Sequence, residues 1–324
     1  FSVFDSTEMP GASVAVEGGV PTSTLVSVGV PAYNRPDLLA RTLQNLLRQT
    51  WVNIDIIISD NASSDFRVSE VMRSFANIDE RTRIFHQPKN IGPLNNFFFV
   101  LKKSRAPFFM WAADDDYIEP WFVERALQKL WYNPALVLAT SEARYITPEG
   151  ELLDFVPEGE AFRRPLSKGP VDRLRHMLKH NFGNLVYGLF RKEALMQDGE
   201  VFWEKAGLHS FNEIPPLLYV ACTGEILVMS EIGLYKQAPA QVHAQVKWEL
   251  RGGRLPAASR LLNWGAVKGT WEYHSQALRH IGSALALLPL SDTIKADLRS
   301  AARRRLLLHF LYLFLGYKLR ALDV

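Results

Sequence analysis

Four apolar runs of strand length, Leu25–Pro31, Ile54–Ser59, Arg83–His86 and Phe108–Trp111, are each followed by a segment of helical periodicity. Those segments are Pro36–Arg48, Asp65–Phe75, Asn95–Lys103 and Pro120–Trp131. In the first, Leu38, Leu39, Leu43, Leu46 and Leu47 recur at the spacing that places side chains on one helix face. Apolar, β-branched strands alternating with helices predict a mostly parallel sheet covered on both faces. Ligands of such sheets bind beyond the carboxyl ends of the strands, near a topological switch point.

The loops at those four ends are polar in a way that suits ligand binding. They read Pro31-Ala32-Tyr33-Asn34-Arg35, Ser59-Asp60-Asn61-Ala-Ser63-Ser64-Asp65, Lys89-Asn90-Ile-Gly92-Pro-Leu-Asn95-Asn96, and Asp114-Asp115-Asp116. Chance explains one or two polar turns, because loops are polar anyway, but four together are harder to dismiss. Three adjacent carboxylates repel unless solvated or neutralised. A hard Mg²⁺ or Mn²⁺ takes one or two such carboxylates and leaves its other positions to phosphate and water. The triplet is therefore a candidate holder of a metal–nucleotide diphosphate, against the alternative of a solvated acidic loop.

Four stretches carry a resemblance. Val28-Gly-Val-Pro-Ala-Tyr-Asn34, Ile58-Ser-Asp60-Asn-Ala-Ser63, Asn90-Ile-Gly92 and Ala113-Asp114-Asp115-Asp116 with Pro120 resemble, in order, the motifs of family 2 glycosyltransferases of the GT-A fold. The resemblance implies a GT-A type, Rossmann-like sheet flanked by helices. It also implies inverting transfer of a sugar from a nucleotide-diphosphate donor, a UDP-sugar being favoured, to a hydroxyl. Pro31, Ala32 and Tyr33 would then border the nucleobase and ribose, with Tyr33 offering a stacking face. Asp60 would accept a hydrogen bond from the base, while Asn90, Gly92 and Asn95 lie near the base and ribose edge. Asp114 or Asp115 would take a ribose hydroxyl, and Asp116, with Asp114 as a second candidate, would bind the metal. The chain departs from many relatives in having Ala112-Ala113 where another Asp precedes the pair, which leaves the set of metal-binding carboxylates open.

Transfer also needs a general base for the attacking hydroxyl. Counting back from Gly224, Glu213 falls where relatives carry the catalytic acid, ahead of an apolar helix that ends in that glycine. Its competing reading is a helix-start acid favoured by the dipole, with Pro215 and Pro216 in the first turn. His209 near the acceptor and His243 near the metal or phosphate are weaker candidates, as ordinary imidazoles would serve equally. Arg35, Lys89, Lys236 and Lys247 are available to neutralise phosphate, although long basic side chains mostly lie at surfaces. Arg251-Gly-Gly-Arg254 reads as an exposed turn or a basic lid.

The domain plan is a flexible leader over 1–24, a catalytic domain over 25–250 (donor half 25–135, acceptor half 136–250) and a helical extension over 251–324. A chain of 324 residues, 48% of them hydrophobic, supports a large core. Its single cysteine, Cys222, rules out an intrachain disulfide framework and fits a reducing, cytoplasmic setting. A formal net charge of +3, evenly spread, argues against nucleic acid as a partner. Near the end, Arg303-Arg304-Arg305 precedes the apolar run Leu306–Leu315, which is shorter than the ~20 residues a bilayer span needs. Its basic flanks and aromatics suit either a membrane interface on the inner face or packing against protein, including a second subunit. The expected partners are a nucleotide-sugar and a glycan or lipid-linked acceptor. The competing functions are a nucleotidyltransferase, whose usual Gly-rich basic loop is missing after the first strand, and a non-catalytic nucleotide-sugar-binding module.

Overall fold

The computed structural model describes residues 19–147, 151–152, 169–179, 183–197, 199–202, 214–237 and 264–315. The alternation expected from the sequence is present. Strands β1 (Val26–Ala32), β2 (Ile54–Asp60), β3 (Thr82–His86) and β4 (Phe108–Trp111) are followed by helices α1 (Pro36–Leu47), α2 (Arg67–Ile78), α3 (Pro93–Lys103) and α4 (Phe122–Tyr132). Between β4 and α4 lies a strand the pattern did not reveal, β5 (Asp116–Ile118). The second half contributes β6 (Leu136–Ile146), α5 (Pro170–Lys179), β7 (Leu189–Arg191), a small hairpin of β8 (Met196–Gln197) and β9 (Glu200–Val201), α6 (Ile214–Thr223) and β10 (Glu225–Gln237). Two long helices close the described chain, α7 (Trp264–Leu287) and α8 (Asp292–Leu315).

Eight strands form one sheet in the order β3-β2-β1-β4-β7-β6-β10-β5. The block β3-β2-β1-β4 is parallel throughout, as the sequence predicted. The other block is mixed: β7 runs antiparallel to both β4 and β6, β10 is parallel to β6, and β5 is antiparallel to β10. A three-residue strand has too little side-chain pattern to announce its direction, which is why the sequence reads as more uniformly parallel than the sheet is.

Consecutive β2 residues feed opposite cores, which explains their unbroken apolar run. Ile56 and Ile58 pack with Leu39 and Leu43 of α1 and Val68 and Met72 of α2, whereas Ile57 packs with Phe98 of α3 and Phe109 of β4. Helices α1, α2 and α4 thus cover one face, and α3, α5, α6, α7 and α8 cover the other. Gly29 sets the closeness of α3 to β1, since a Cβ there would lie 2.6 Å from Val100 Cγ2. At the amino ends of β1 and β2, away from the ligand-type loops, Asp55 accepts from Ser27 Oγ at 2.9 Å and from Arg83 Nε at 2.6 Å. That buried knot holds three strands in register before they reach the opposite edge.

Candidate active site

Parallel register brings the first three loops together. Ala32 sits beside Asp60 and Asp60 beside His86, so β1, β2 and β3 end level with one another. The Asn34 backbone occupies the left-handed region (φ 54°), a conformation asparagine tolerates. Its Oδ1 accepts from the backbone N–H of Ser64 at 2.8 Å and of Asp65 at 3.2 Å, while its own N–H donates to Ser63 Oγ at 2.9 Å. Asp60, buried beneath these loops, accepts from the Ser63 N–H at 2.9 Å and faces His86 Nδ1 at 3.4 Å. The third loop is tied in by Asn61, which donates to Asn90 Oδ1 at 3.2 Å and accepts from the Ile91 N–H at 2.9 Å. Asn90 also accepts from the Gly92 N–H at 2.8 Å. Gly92 has φ +82°, a backbone that side chains rarely adopt, and starts α3 from that turn. The Asn95 amide donates to the Ile91 carbonyl at 2.7 Å, so it supports the loop. Above this floor the Tyr33 ring is 44% exposed, an open face for stacking.

The aspartate triplet lies at the other side of the edge. Arg35 Nη1 donates to Asp115 Oδ2 at 2.7 Å and to Asp114 Oδ1 at 3.3 Å, and the Tyr33 N–H reaches Asp114 Oδ2 at 3.4 Å. Burial pushes the Asp114 carboxyl up to about 6, with Arg35 opposing the rise and Asp115 adding to it. Asp116, the first residue of β5, is buried against Lys236 of β10, whose Nζ donates to Asp116 Oδ2 at 2.7 Å. The same ammonium lies 3.4 Å from the centre of the Tyr187 ring. Burial alone would lower the Lys236 ammonium, but Asp116 and Tyr187 outweigh it and hold the group above its ordinary range. The two therefore form a buried ion pair. Register shifts between Met229 and Leu234 re-aim β10 just before Lys236, a common device beside functional sites.

These pairings bear on a metal. A divalent cation bound with a diphosphate needs only one or two protein oxygens. Asp115, with 28% of its side chain exposed, and Asp114 beside it fit that need once Arg35 turns to the phosphates. Asp116 fits only if Lys236 leaves it. Among the described residues no cluster of three acidic, histidine or cysteine side chains makes a ready cage.

The structure thus gathers Pro31, Ala32, Tyr33, Arg35, Asp60, Asn90, Gly92, Asn95 and the three aspartates along one edge. His86, Asn61 and Tyr187 also contribute, and sequence reading did not assign them roles. His86 was visible only as the last residue of a strand, and Asn61 as the neighbour of Asp60. Glu213, His209, His243, Lys247 and Arg251–Arg254 lie outside the described residues. Helix α6, which Glu213 precedes, is described and buried in the core through Leu217, Leu218, Val220 and Ala221.

Comparisons with known proteins agree with this arrangement. The family model for glycosyl transferase family 2 matches residues 27–188, half of the chain. The glycosyltransferase GlyG of Streptococcus pneumoniae is 22% identical over 233 residues, covering 68% of this chain and 73% of GlyG. The hyaluronan synthase of Pasteurella multocida is 28% identical over 217 residues, covering 66% of this chain but 22% of that protein. Among solved structures, Staphylococcus aureus TarS 1–349 in complex with UDP-GlcNAc matches with a TM-score of 0.58 at 15% identity, over 90% of this chain and 73% of that one. The mannosyltransferase PcManGT of Pyrobaculum calidifontis, in complex with GDP-Man and Mn²⁺, matches with a TM-score of 0.50 at 16% identity, over 87% and 86%. At such identities the likeness to the two structures is one of fold. The ordered loops along one sheet edge and the family match over the same residues lead to one conclusion: the chain belongs to glycosyl transferase family 2 and has the GT-A fold.

Proposed function

We propose that the protein is an inverting glycosyltransferase that takes a sugar from a UDP-sugar and places it on a hydroxyl of a glycan or lipid-linked acceptor. The observation that carries this reading is the pairing of an amide-lined floor, which holds the single carboxylate of Asp60, with a wall of several charges, Arg35 and Asp114–Asp116, on one edge. The first suits a nucleobase and the second a diphosphate.

In this reading the Tyr33 ring stacks on the base and Asp60 accepts its N–H. Asp114 or Asp115 accepts from a ribose hydroxyl. Arg35, half exposed and reaching both carboxylates, turns toward the diphosphate as it arrives and meets charge with charge in a fork geometry. Asp114 and Asp115 would hold a Mn²⁺ or Mg²⁺ ion, with Asp116 joining if Lys236 withdraws. Such an ion, when bound, offsets the charge developing on the leaving diphosphate. Glu213, which precedes α6 in the sequence, removes the proton of the attacking hydroxyl. A base that acts only on the acceptor changes turnover and not donor binding. Glu213→Gln is therefore expected to cut kcat by about 10²–10⁴-fold with an unchanged donor dissociation constant. A variant with wild-type kcat would remove Glu213 from the mechanism.

A thermal-shift panel of UDP-, GDP-, dTDP- and CMP-sugars, each with Mn²⁺ and with EDTA, tests the donor. The expected result is stabilisation by a UDP-sugar, followed by turnover to a product of opposite anomeric configuration in NMR. No shift with any nucleotide-sugar would overturn the reading, and a shift without turnover on any acceptor would leave a binding module in its place.

A further inference from the structure

Away from the donor edge, α7 and α8 pack together as a hairpin, and a groove of about 860 Å³ runs between them. That is ample for a lipid segment or a small amphiphile. Leu278 and Ile281 of α7 and Ala302 and Leu306 of α8 form its apolar floor. Arg279, Arg299 and Arg303 rim it. Small residues, Gly282 and Ala302 among them, line part of the groove and leave it open. A Cβ added at Gly282 would meet nothing within 4 Å, and Ala302 occupies the facing turn. Leu307, at its end, is 52% exposed.

Among the described residues the rim is positively charged, with no acid paired to Arg279 or Arg303. Arg299 spends one N–H on the Gly282 carbonyl at 3.4 Å, while Arg279 and Arg303 have no acidic partner among the described residues. The nearest acid described on α8, Asp297, is taken by Arg175 of α5 at 3.0 Å. Unpaired guanidinium groups beside an apolar floor favour an occupant that brings an anion and a hydrocarbon together. A second copy docked by a two-fold axis would set arginines against arginines, a like-charge contact. The sequence flanking the hairpin is no better matched, because Lys247, Arg251, Arg254 and Arg260 outnumber Glu249, and Lys318 and Arg320 outnumber Asp323.

We propose that this groove binds an anionic membrane lipid. The acyl chain lies along Leu278, Ile281, Ala302 and Leu306, and the lipid phosphate is held by Arg279 and Arg303. The hairpin thereby seats the transferase on a membrane surface. No helix among the described residues is long and apolar enough to cross a membrane. In the sequence, Arg303-Arg304-Arg305 is followed by the apolar run Leu306–Leu315, a composition that suits an anionic membrane surface. The proposal does not rest on the donor-site reading.

Co-sedimentation with vesicles tests it, using phosphatidylglycerol–phosphatidylcholine mixtures against pure phosphatidylcholine. Wild type is expected to prefer the anionic vesicles by at least about tenfold, and the double variant Arg279→Gln/Arg303→Gln to lose that preference. Arg279→Lys/Arg303→Lys should keep most of it. Gly282→Leu leaves charge unchanged and fills the groove, so it should also weaken binding about tenfold; Ala302→Met fills it from α8 should the first variant fold poorly. Glycerol phosphate, a headgroup without a chain, should not compete. Donor binding by all variants should match wild type, and its failure in wild type would count against the donor site alone. Equal binding to both vesicles, wild-type binding by the filled variants, or competition by glycerol phosphate would overturn the proposal. So would a wild-type dimer that Gly282→Leu dissociates while vesicle binding persists.

Discussion

The two ends of the candidate-site edge are built from different interactions. Around Asp60 the loops are fastened by backbone N–H groups and amide side chains: Asn34 to Ser64 and Asp65, Asp60 to Ser63, Asn61 to Ile91 and Asn90. Around the triplet they are fastened by ions, Arg35 to Asp114 and Asp115 and Lys236 to Asp116. A floor fastened by backbone and amide hydrogen bonds keeps its shape whether or not a base rests on it. In the proposed reading the ion-paired wall exchanges partners when a diphosphate arrives. The first end is thus preorganised, and the second holds its charge in a form that a ligand can rearrange.

The strongest way to break this comparison is to remove one ion of the buried pair. Asp116→Ala leaves Lys236 uncompensated and Lys236→Met leaves Asp116 so, and each should cost about 3–5 kcal/mol in urea unfolding. The double variant Asp116→Leu/Lys236→Met should recover most of that, because an apolar pair replaces both charges. Single variants as stable as wild type would mean that Lys236 leaves Asp116 freely and that Asp116 is open to a metal after all.

Asp114 sharpens the contrast through pH. Its folded carboxyl sits at about 6 against an ordinary value of 3.8, so between those values the folded state holds more proton than the unfolded chain. Stability contributed at this position therefore falls as pH rises from about 4 to about 6 and is level above that. Relative to Asp114→Asn, wild type should lose about 1–3 kcal/mol across that window, read from unfolding at successive pH values. A gap that is flat with pH would remove the burial argument.

At the Asp60 end, Asp60→Ala should weaken UDP-sugar binding by about 1–3 kcal/mol and Asp60→Asn by less, since an amide retains one acceptor. Calorimetric affinities that match wild type would move the base elsewhere. The smallest effect belongs to Arg35, which is half exposed and whose shorter pair, to Asp115, lies at the surface. Arg35→Gln should change stability by about 0–1 kcal/mol and yet lower diphosphate affinity, with the loss shrinking at high salt. A large stability loss would instead make Arg35 a structural cation.

Much of this edge was legible because the signals are local. Strand and helix periods are properties of neighbouring residues, and Val26–Ala32, Ile54–Asp60 and Phe108–Trp111 fall within a residue of where their apolar runs place them. Polar loops after each strand announced the ligand edge for the same reason. The Asn95 amide donates to the Ile91 carbonyl, a turn contact that a loop sequence does not distinguish from ligand chemistry. The triplet read as one acidic cluster. The fold divides it, with Asp116 turned into a buried strand and Asp115 left more exposed.

By itself, then, the sequence determined the alternating frame, the parallel donor block and the inventory of acids, amides and rings at its edge. Backbone geometry writes those features into residues a few positions apart. Only the tertiary structure decided which acid meets which base. Lys236 and Asp116 are 120 residues apart, and they meet because β10 runs past β6 and its register shifts turn its end against β5. The three-residue β7 that joins the two sheet blocks, and the open groove over Gly282, are likewise products of packing. A contact across such a separation leaves no periodicity behind, so no reading of neighbours could have supplied it.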